Sequence, residues 1–148
     1  MKNWPAAVTA AIIIIVGMLA LACPQGNAAQ AKASFELLQQ VSLRKQQISS
    51  PTAETLARMK ELGMRTEPLN IQRVFIYLAK PLTTEQSAEL KVIGVSPYPE
   101  SWIPPSGNHP AGFLLADMPV DKLDALAAKD FVIRLDTAEK KSEPQGGG

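Results

Sequence analysis

The sequence predicts an α+β domain: an antiparallel sheet with two helices on one face, preceded by one or two further helices. Three observations carry this. Residues 71–138 run in the order strand, helix, weak strand, strand, helix, strand. The strong strand candidates are rich in β-formers, and the helical stretches between them carry apolar stripes. Residues 35–70 have helical rather than strand periodicity. The 148 residues are enough for one such domain with a leader and tails.

The leader comes first. Residues 1–31 hold one charge, Lys2, and 6–23, "AAVTAAIIIIVGMLALAC", is almost wholly apolar. A short positive start, an apolar core and a small-residue exit form the pattern of a secretory signal. The run is also close to the roughly 20 residues of a membrane span, although many are alanine and only 12–16 is strongly apolar. Lys2 would stay in the cytoplasm, so either reading exports the rest of the chain. Ala20-Leu21-Ala22 and Gly26-Asn27-Ala28 both fit ordinary signal peptidase. The stretch "ALAC" also resembles a bacterial lipobox, which makes Cys23 a candidate lipidation site, with Ala20 and Leu21 departing from the usual residues. Cys23 has no second cysteine to pair with and no ligand cluster beside it, so a disulfide or metal role is not expected. The expected location is the cell envelope, through a lipid anchor, or the secreted or periplasmic space. The membrane is reached only through the leader or a lipid on Cys23.

After the leader (1–23) a small polar tether is expected over 24–34, then a helical extension over 35–70, the sheet domain over 71–138, and a disordered tail over 139–148. In "FELLQQVSLRKQQI", Leu37, Leu38, Val41 and Ile48 lie on or near one face, while Gln39, Gln40, Arg44, Lys45 and Gln46 fill much of the rest. In "SSPTAETLARMKELG", Ser50 can cap, Pro51 suits the first helical position and Gly63 can end the helix, with Ala53, Leu56, Met59 and Leu62 as a narrow stripe. These helices are expected to pack on the sheet domain rather than to fill a partner's groove.

Within the sheet domain, "RVFIYLAK" has apolar residues on both faces, as in a strand near the middle of a sheet. A helix over 84–93 follows, with Thr83 and Gln86 as a capping box, Gly94 as terminator, and Leu90 and Ile93 facing inward. The proline-rich 95–111 hides a short edge strand around Val95. "GFLLADMP" is the next strand, and 120–129 a helix with Val120, Leu123, Leu126 and Ala127 on one face. The last strand is read over 131–137, with Phe131, Ile133 and Leu135 in and Arg134 and Asp136 out. That order is the ferredoxin-like split βαβ pattern, which leaves one sheet face open.

Composition narrows the function classes. Lys and Arg number 15 against 14 Asp and Glu, and loss of Lys2 with the leader makes the two equal. A neutral domain has no electrostatic footprint for nucleic acid or an anionic membrane surface. Aromatics are only 5%, which argues against a base-stacking platform. The lone histidine, His109 in "SGNHPAG", reads as a loop residue, and Ser106 beside it lacks a nucleophile elbow and an oriented acid. Asp117, Asp121, Asp124 and Asp136 are scattered and read as caps and solvent-facing positions. The expectation is a non-enzyme with no cofactor and no metal. Tyr98 and Trp102 lie in a loop stiffened by Pro97, Pro99, Pro104 and Pro105, either as interface anchors or, for Trp102 and Ile103, folded back over the end of the core.

The stretches "VFIYLAKPLTTEQSAELKVIGV" and "AGFLLADMPVDKLDALAAKDFVIRLD", with the Gly94-Val95 step and the placement of Leu123, Leu126, Ala127, Val132 and Leu135, resemble the propeptide-type module of subtilisin-like serine proteases (peptidase inhibitor I9-like). The resemblance covers about 71–137 and consists of hydrophobic placements. It implies a ferredoxin-like fold whose open face packs on a protease, with the segment after the last strand lying in the active-site cleft. By position that segment is 136–141, "DTAEKK": Asp136, Thr137, Ala138, Glu139, Lys140 and Lys141, of which only Ala138 is apolar. With Phe75, Tyr77, Tyr98 and Trp102 these are the candidate protein-binding residues. The function expected is an exported protein-binding module, an inhibitor or folding assistant of a secreted subtilisin-like protease acting in trans. The alternative is an envelope structural or adaptor domain with other contacts.

Overall fold

The computed structural model describes residues 27–140. The leader, Cys23, the start of the expected tether and Lys141 with the rest of the tail lie outside the described residues. Those described form an α+β unit with five helices and a four-stranded antiparallel sheet. Among them no helix is long and apolar enough to cross a membrane.

Three helices precede the sheet: α1 (Ala28–Lys32), α2 (Phe35–Ser49) and α3 (Ala53–Glu61). The expected tether is therefore partly helix, and Ala29 within it is buried against the core. Its alanines are good helix formers and small enough to sit close to the later helical turn at Leu123–Ala127. Ser34 caps α2 by accepting from the Leu37 N–H. Thr52, not Ser50, caps α3, because its hydroxyl accepts from Thr55 N–H. Gly63, at a φ of 74°, takes the left-handed turn that ends this helix.

The sheet comprises β1 (Ile71–Leu78), β2 (Ser96–Ile103), β3 (Gly112–Pro119) and β4 (Arg134–Thr137), in the spatial order β2-β3-β1-β4. Helix α4 (Thr84–Val92) joins β1 to β2, and α5 (Leu123–Ala127) joins β3 to β4. The capping box of Thr83 and Gln86 forms as the sequence requires. Strand β1 pairs with β3 across Phe75↔Leu115 and Tyr77↔Phe113, and with β4 across Phe75↔Asp136 and Tyr77↔Arg134. Its central position explains why both of its faces are apolar.

On one side of the sheet Val74, Ile76 and Leu78 meet Leu114, Ala116 and Met118, with Leu90, Leu123, Leu126 and Ala127 of α4 and α5 above them. Leu37 and Val41 of α2 join the same cluster, so the N-terminal extension packs in cis. Backbone at Ala33 runs parallel beside Leu135, and Ser34 N–H donates to Leu135 O at 2.9 Å, which covers the outer edge of β4.

Four expectations are corrected. The last strand starts at Arg134, not 131, because Val132 N–H closes a turn onto Lys129 O. Outside the ladder the alternation lapses, so Val132 is buried and Ile133 is 50% exposed. Asp136, read as solvent-facing, is buried at the β4 edge. In α2, Ile48 is exposed while Gln40, Arg44 and Gln47 are buried. The weak strand near Val95 is a full edge strand, β2, held to β3 at Ser96, Pro97, Tyr98 and Ile103 with an irregularity between. Proline fits there because an edge strand leaves alternate N–H groups unpaired.

Candidate functional site

Residues opposite one another in an antiparallel ladder share a face. The register therefore gathers Arg73, Phe75 and Tyr77 of β1, Phe113, Leu115 and Asp117 of β3, Tyr98 of β2, and Arg134 and Asp136 of β4 on one side. Phe75, Tyr77, Phe113 and Leu115 are partly exposed and stand outside the buried cluster into which the helices pack. The Phe75 and Phe113 rings meet edge to face with centroids 5.1 Å apart, and Tyr77 lies tilted 5.4 Å from Phe113. Such pairs hold their rings in a fixed arrangement.

Ion pairs frame this aromatic centre. Arg73 Nε and Nη2 donate to the two carboxylate oxygens of Asp117 at 2.9 and 3.1 Å, a forked contact. The Tyr98 hydroxyl donates to the same carboxylate at 2.7 Å, and the Arg73 guanidinium lies 5.7 Å from the Tyr98 ring centre. Arg65 Nη2 reaches Asp117 at 3.5 Å. Burial pushes the Asp117 pKa up, but hydrogen bonds from Arg73 and Tyr98 and the charges of Arg73 and Arg65 outweigh it and hold the carboxyl below its ordinary range. At the other end Arg134 stacks 4.7 Å from the Tyr77 ring centre and donates to Asp136 at 3.1 Å. Burial likewise raises Asp136, and the Ser34 hydroxyl, Lys140, the Thr137 N–H and Arg134 together bring it below the ordinary value.

The segment after β4 is held in place on the opposite side. Glu139, assigned to the tail by composition, is buried at 4% exposure. Its carboxylate accepts from Arg44 Nη2 at 2.6 Å, from Arg65 N–H and Nε at 2.9 and 3.1 Å, and from Arg73 N–H at 3.0 Å. Arg44 is fully buried; its Nε donates to Gln72 at 2.7 Å, and Nη1 reaches the Pro68 carbonyl at 3.2 Å. Gln40 Nε2 donates to the Glu139 carbonyl at 2.7 Å, and Thr137 bonds Gln40 and Gln72. Among the described residues no buried side-chain polar atom lacks a partner. Desolvation lowers the Arg44 pKa while Glu139 opposes it; a guanidinium stays charged regardless.

The sequence-derived candidates are thus divided. Phe75, Tyr77 and Tyr98 lie on the open face, with Asp136 at its edge. Thr137 and Glu139 belong to the buried network on the covered side, Ala138 N–H donates to Arg73 O, and Lys140 is exposed and pairs with Glu36. Residues 136–139 therefore stay bound to the sheet and to α2 in this structure. Trp102 packs over the core at Gly112, where an added Cβ would overlap its ring and the Ile103 carbonyl, so it is a lid on the core end. Ser106 and His109 face each other only as a backbone bridge in an exposed turn. Sequence reasoning missed Phe113, Leu115 and Arg73, although the alternation of "GFLLADMP" already puts 113, 115 and 117 on one side. It also missed Arg44, for which no local signal exists.

No family model, curated protein or solved structure matches the chain.

Proposed function

We propose that the chain is an exported, non-catalytic protein-binding module that docks through its open sheet face, with a secreted subtilisin-like serine protease as partner. The observation that carries the reading is the continuous centre of Phe75, Tyr77, Phe113 and Leu115 on the two middle strands, outside the cluster that the helices cover. The face is preformed, so docking orders few side chains and little backbone. The order β2-β3-β1-β4, with β3 between the two strands that α4 joins, supports taking 71–137 as a ferredoxin-like split βαβ unit. That is the architecture the resemblance to protease propeptides implies. Export, to the envelope or beyond, rests on the apolar leader.

The anchoring of Glu139 supports one mode over another. A product-like entry of 136–139 into a cleft would break four hydrogen bonds to its carboxylate. The module therefore acts by docking, as a folding assistant or a weak inhibitor. The same anchoring favours a second reading, an envelope adaptor that uses this face on a partner other than a protease. Mixing the full chain at about 100 µM with a panel of subtilisin-like enzymes detects binding on the order of −5 kcal/mol. A complex or assisted refolding with at least one enzyme, weakened by Phe75→Ala, is the expected result. No complex, no inhibition and no refolding aid leaves the adaptor reading standing.

A further inference from the structure

We infer that the surface this face recognises is an apolar protein patch rimmed by carboxylates; the inference rests on the docking reading above and adds the chemistry of the partner. Both ends of the aromatic centre carry ion pairs in which the arginine is the outer member. The Arg134 side chain is 54% exposed and its Asp136 partner 11%. Arg73 and Arg65 are 36% and 34% exposed over an Asp117 that is 20% exposed. Each carboxylate is spent on several donors, whereas Arg134 uses only Nη2 in a hydrogen bond and Arg73 only Nε and Nη2. A guanidinium has five N–H donors in a planar fork suited to carboxylates. An approaching partner therefore meets aromatic carbon at the centre and unspent cationic donors at both ends.

Two other occupants fit this surface less well. A second copy docked face to face would set arginines against arginines, a like-charge arrangement that costs affinity. Single-stranded nucleic acid needs open ring faces and a cationic track. Here Phe75 and Phe113 are engaged edge to face, Arg134 covers Tyr77, and basic and acidic residues are nearly balanced in the chain.

The test uses the full chain in neutral phosphatidylcholine nanodiscs, with empty discs as the blank. Two fluorescein-labelled octapeptides share a Phe-Leu-Leu-Phe centre and differ in having two Glu or two Lys on each side; a uridine dodecamer is the third probe. Anisotropy should show the Glu peptide binding about tenfold tighter than the Lys peptide, with the preference shrinking as salt rises. Arg134→Glu should weaken the Glu peptide and strengthen the Lys peptide, a reversal that misfolding cannot produce. Equal affinities, a preference for Lys, no binding of either peptide, or capture of the oligonucleotide overturns the inference. A protease complex without a Glu preference here sinks this inference alone, and a Glu preference without any protease complex sinks the protease reading alone.

Discussion

The two sides of the sheet are built from the same strands in strict alternation, and both are apolar at the centre. On the covered side Val74, Ile76 and Leu78 interlock with Leu114, Ala116 and Met118 beneath the helices, and all six are essentially sealed from water. On the open side Phe75 and Tyr77 meet Phe113 and Leu115 and stay partly wet. They differ most in how their charges are handled. The covered side ends in an Arg44–Glu139 pair with side-chain exposures of 0% and 3%, tied to α2, the α3–β1 connection and the end of β4 at once. The open side ends in Arg–Asp pairs whose guanidiniums still face solvent. A sealed pair adds little net stability but fixes one geometry, because removing either partner strands a buried charge. A wet pair constrains little and leaves donors for something else.

The sharpest way to break this contrast is to open the sealed pair. Glu139→Ala leaves the buried Arg44 charge without its counter-ion and Arg44 Nη2 and the Arg65 and Arg73 N–H groups without their acceptor, and should cost about 3–5 kcal/mol in urea unfolding of the full chain. Arg44→Met combined with Glu139→Leu removes the charge along with its partner and should recover the part of that loss due to the stranded charge, while the Arg65 and Arg73 N–H groups stay without their acceptor. A single variant as stable as the parent would show that the pair ties nothing together.

Next comes a truncation on each side. Leu126 of α5 is fully buried against the sheet, so Leu126→Ala should cost about 2–5 kcal/mol. Phe113→Ala removes two aromatic contacts from a surface that water already reaches, and each such contact is worth about 0.5–1.5 kcal/mol. Phe113→Ala should therefore cost clearly less than Leu126→Ala by the same urea measurement. Equal losses would mean that the open face is structural core and not a docking surface.

What the sequence made legible follows from how far apart the deciding contacts lie. Helix α4 is written locally, in the Thr83–Gln86 box and the Gly94 stop. The central place of β1 is written in its two apolar faces. The start of β4 is not legible, because 131–133 mimics strand alternation while a backbone bond from Val132 N–H to Lys129 O closes it as a turn. In α2 the helical wheel put Gln40 and Arg44 among the polar positions, yet the acceptor that makes Arg44 buriable lies 95 residues away at Glu139. Nothing near either residue marks them as a pair. The open face was half legible: Phe75, Tyr77 and Tyr98 could be named from single strands, but Phe113, Leu115 and Arg73 join them only through the β1–β3 register.

The smallest effect expected separates the wet pairs by pH. Asp117 and Asp136 both titrate below the ordinary carboxylate range in the folded chain: burial works against the charged form, and hydrogen bonds with neighbouring charges outweigh it. A depressed folded value means that the unfolded chain binds protons first, at about pH 3.9 for aspartate. The stabilisation is therefore complete above that value and is lost as pH falls through the folded values. Urea midpoints of the full chain should stay level from pH 7 to about 5 where these groups are concerned, then fall toward pH 3. Asp117→Asn should flatten that fall while leaving Asp136 to titrate, and Asp136→Asn should do the converse. Their partners differ, Arg73, Arg65 and Tyr98 for the one and Ser34, Lys140 and Arg134 for the other, so the two flattenings should add. If neither variant changes the slope, the carboxylates of the open face are not what acid attacks, and the arginines above them are held by packing on Tyr77 and Tyr98 instead.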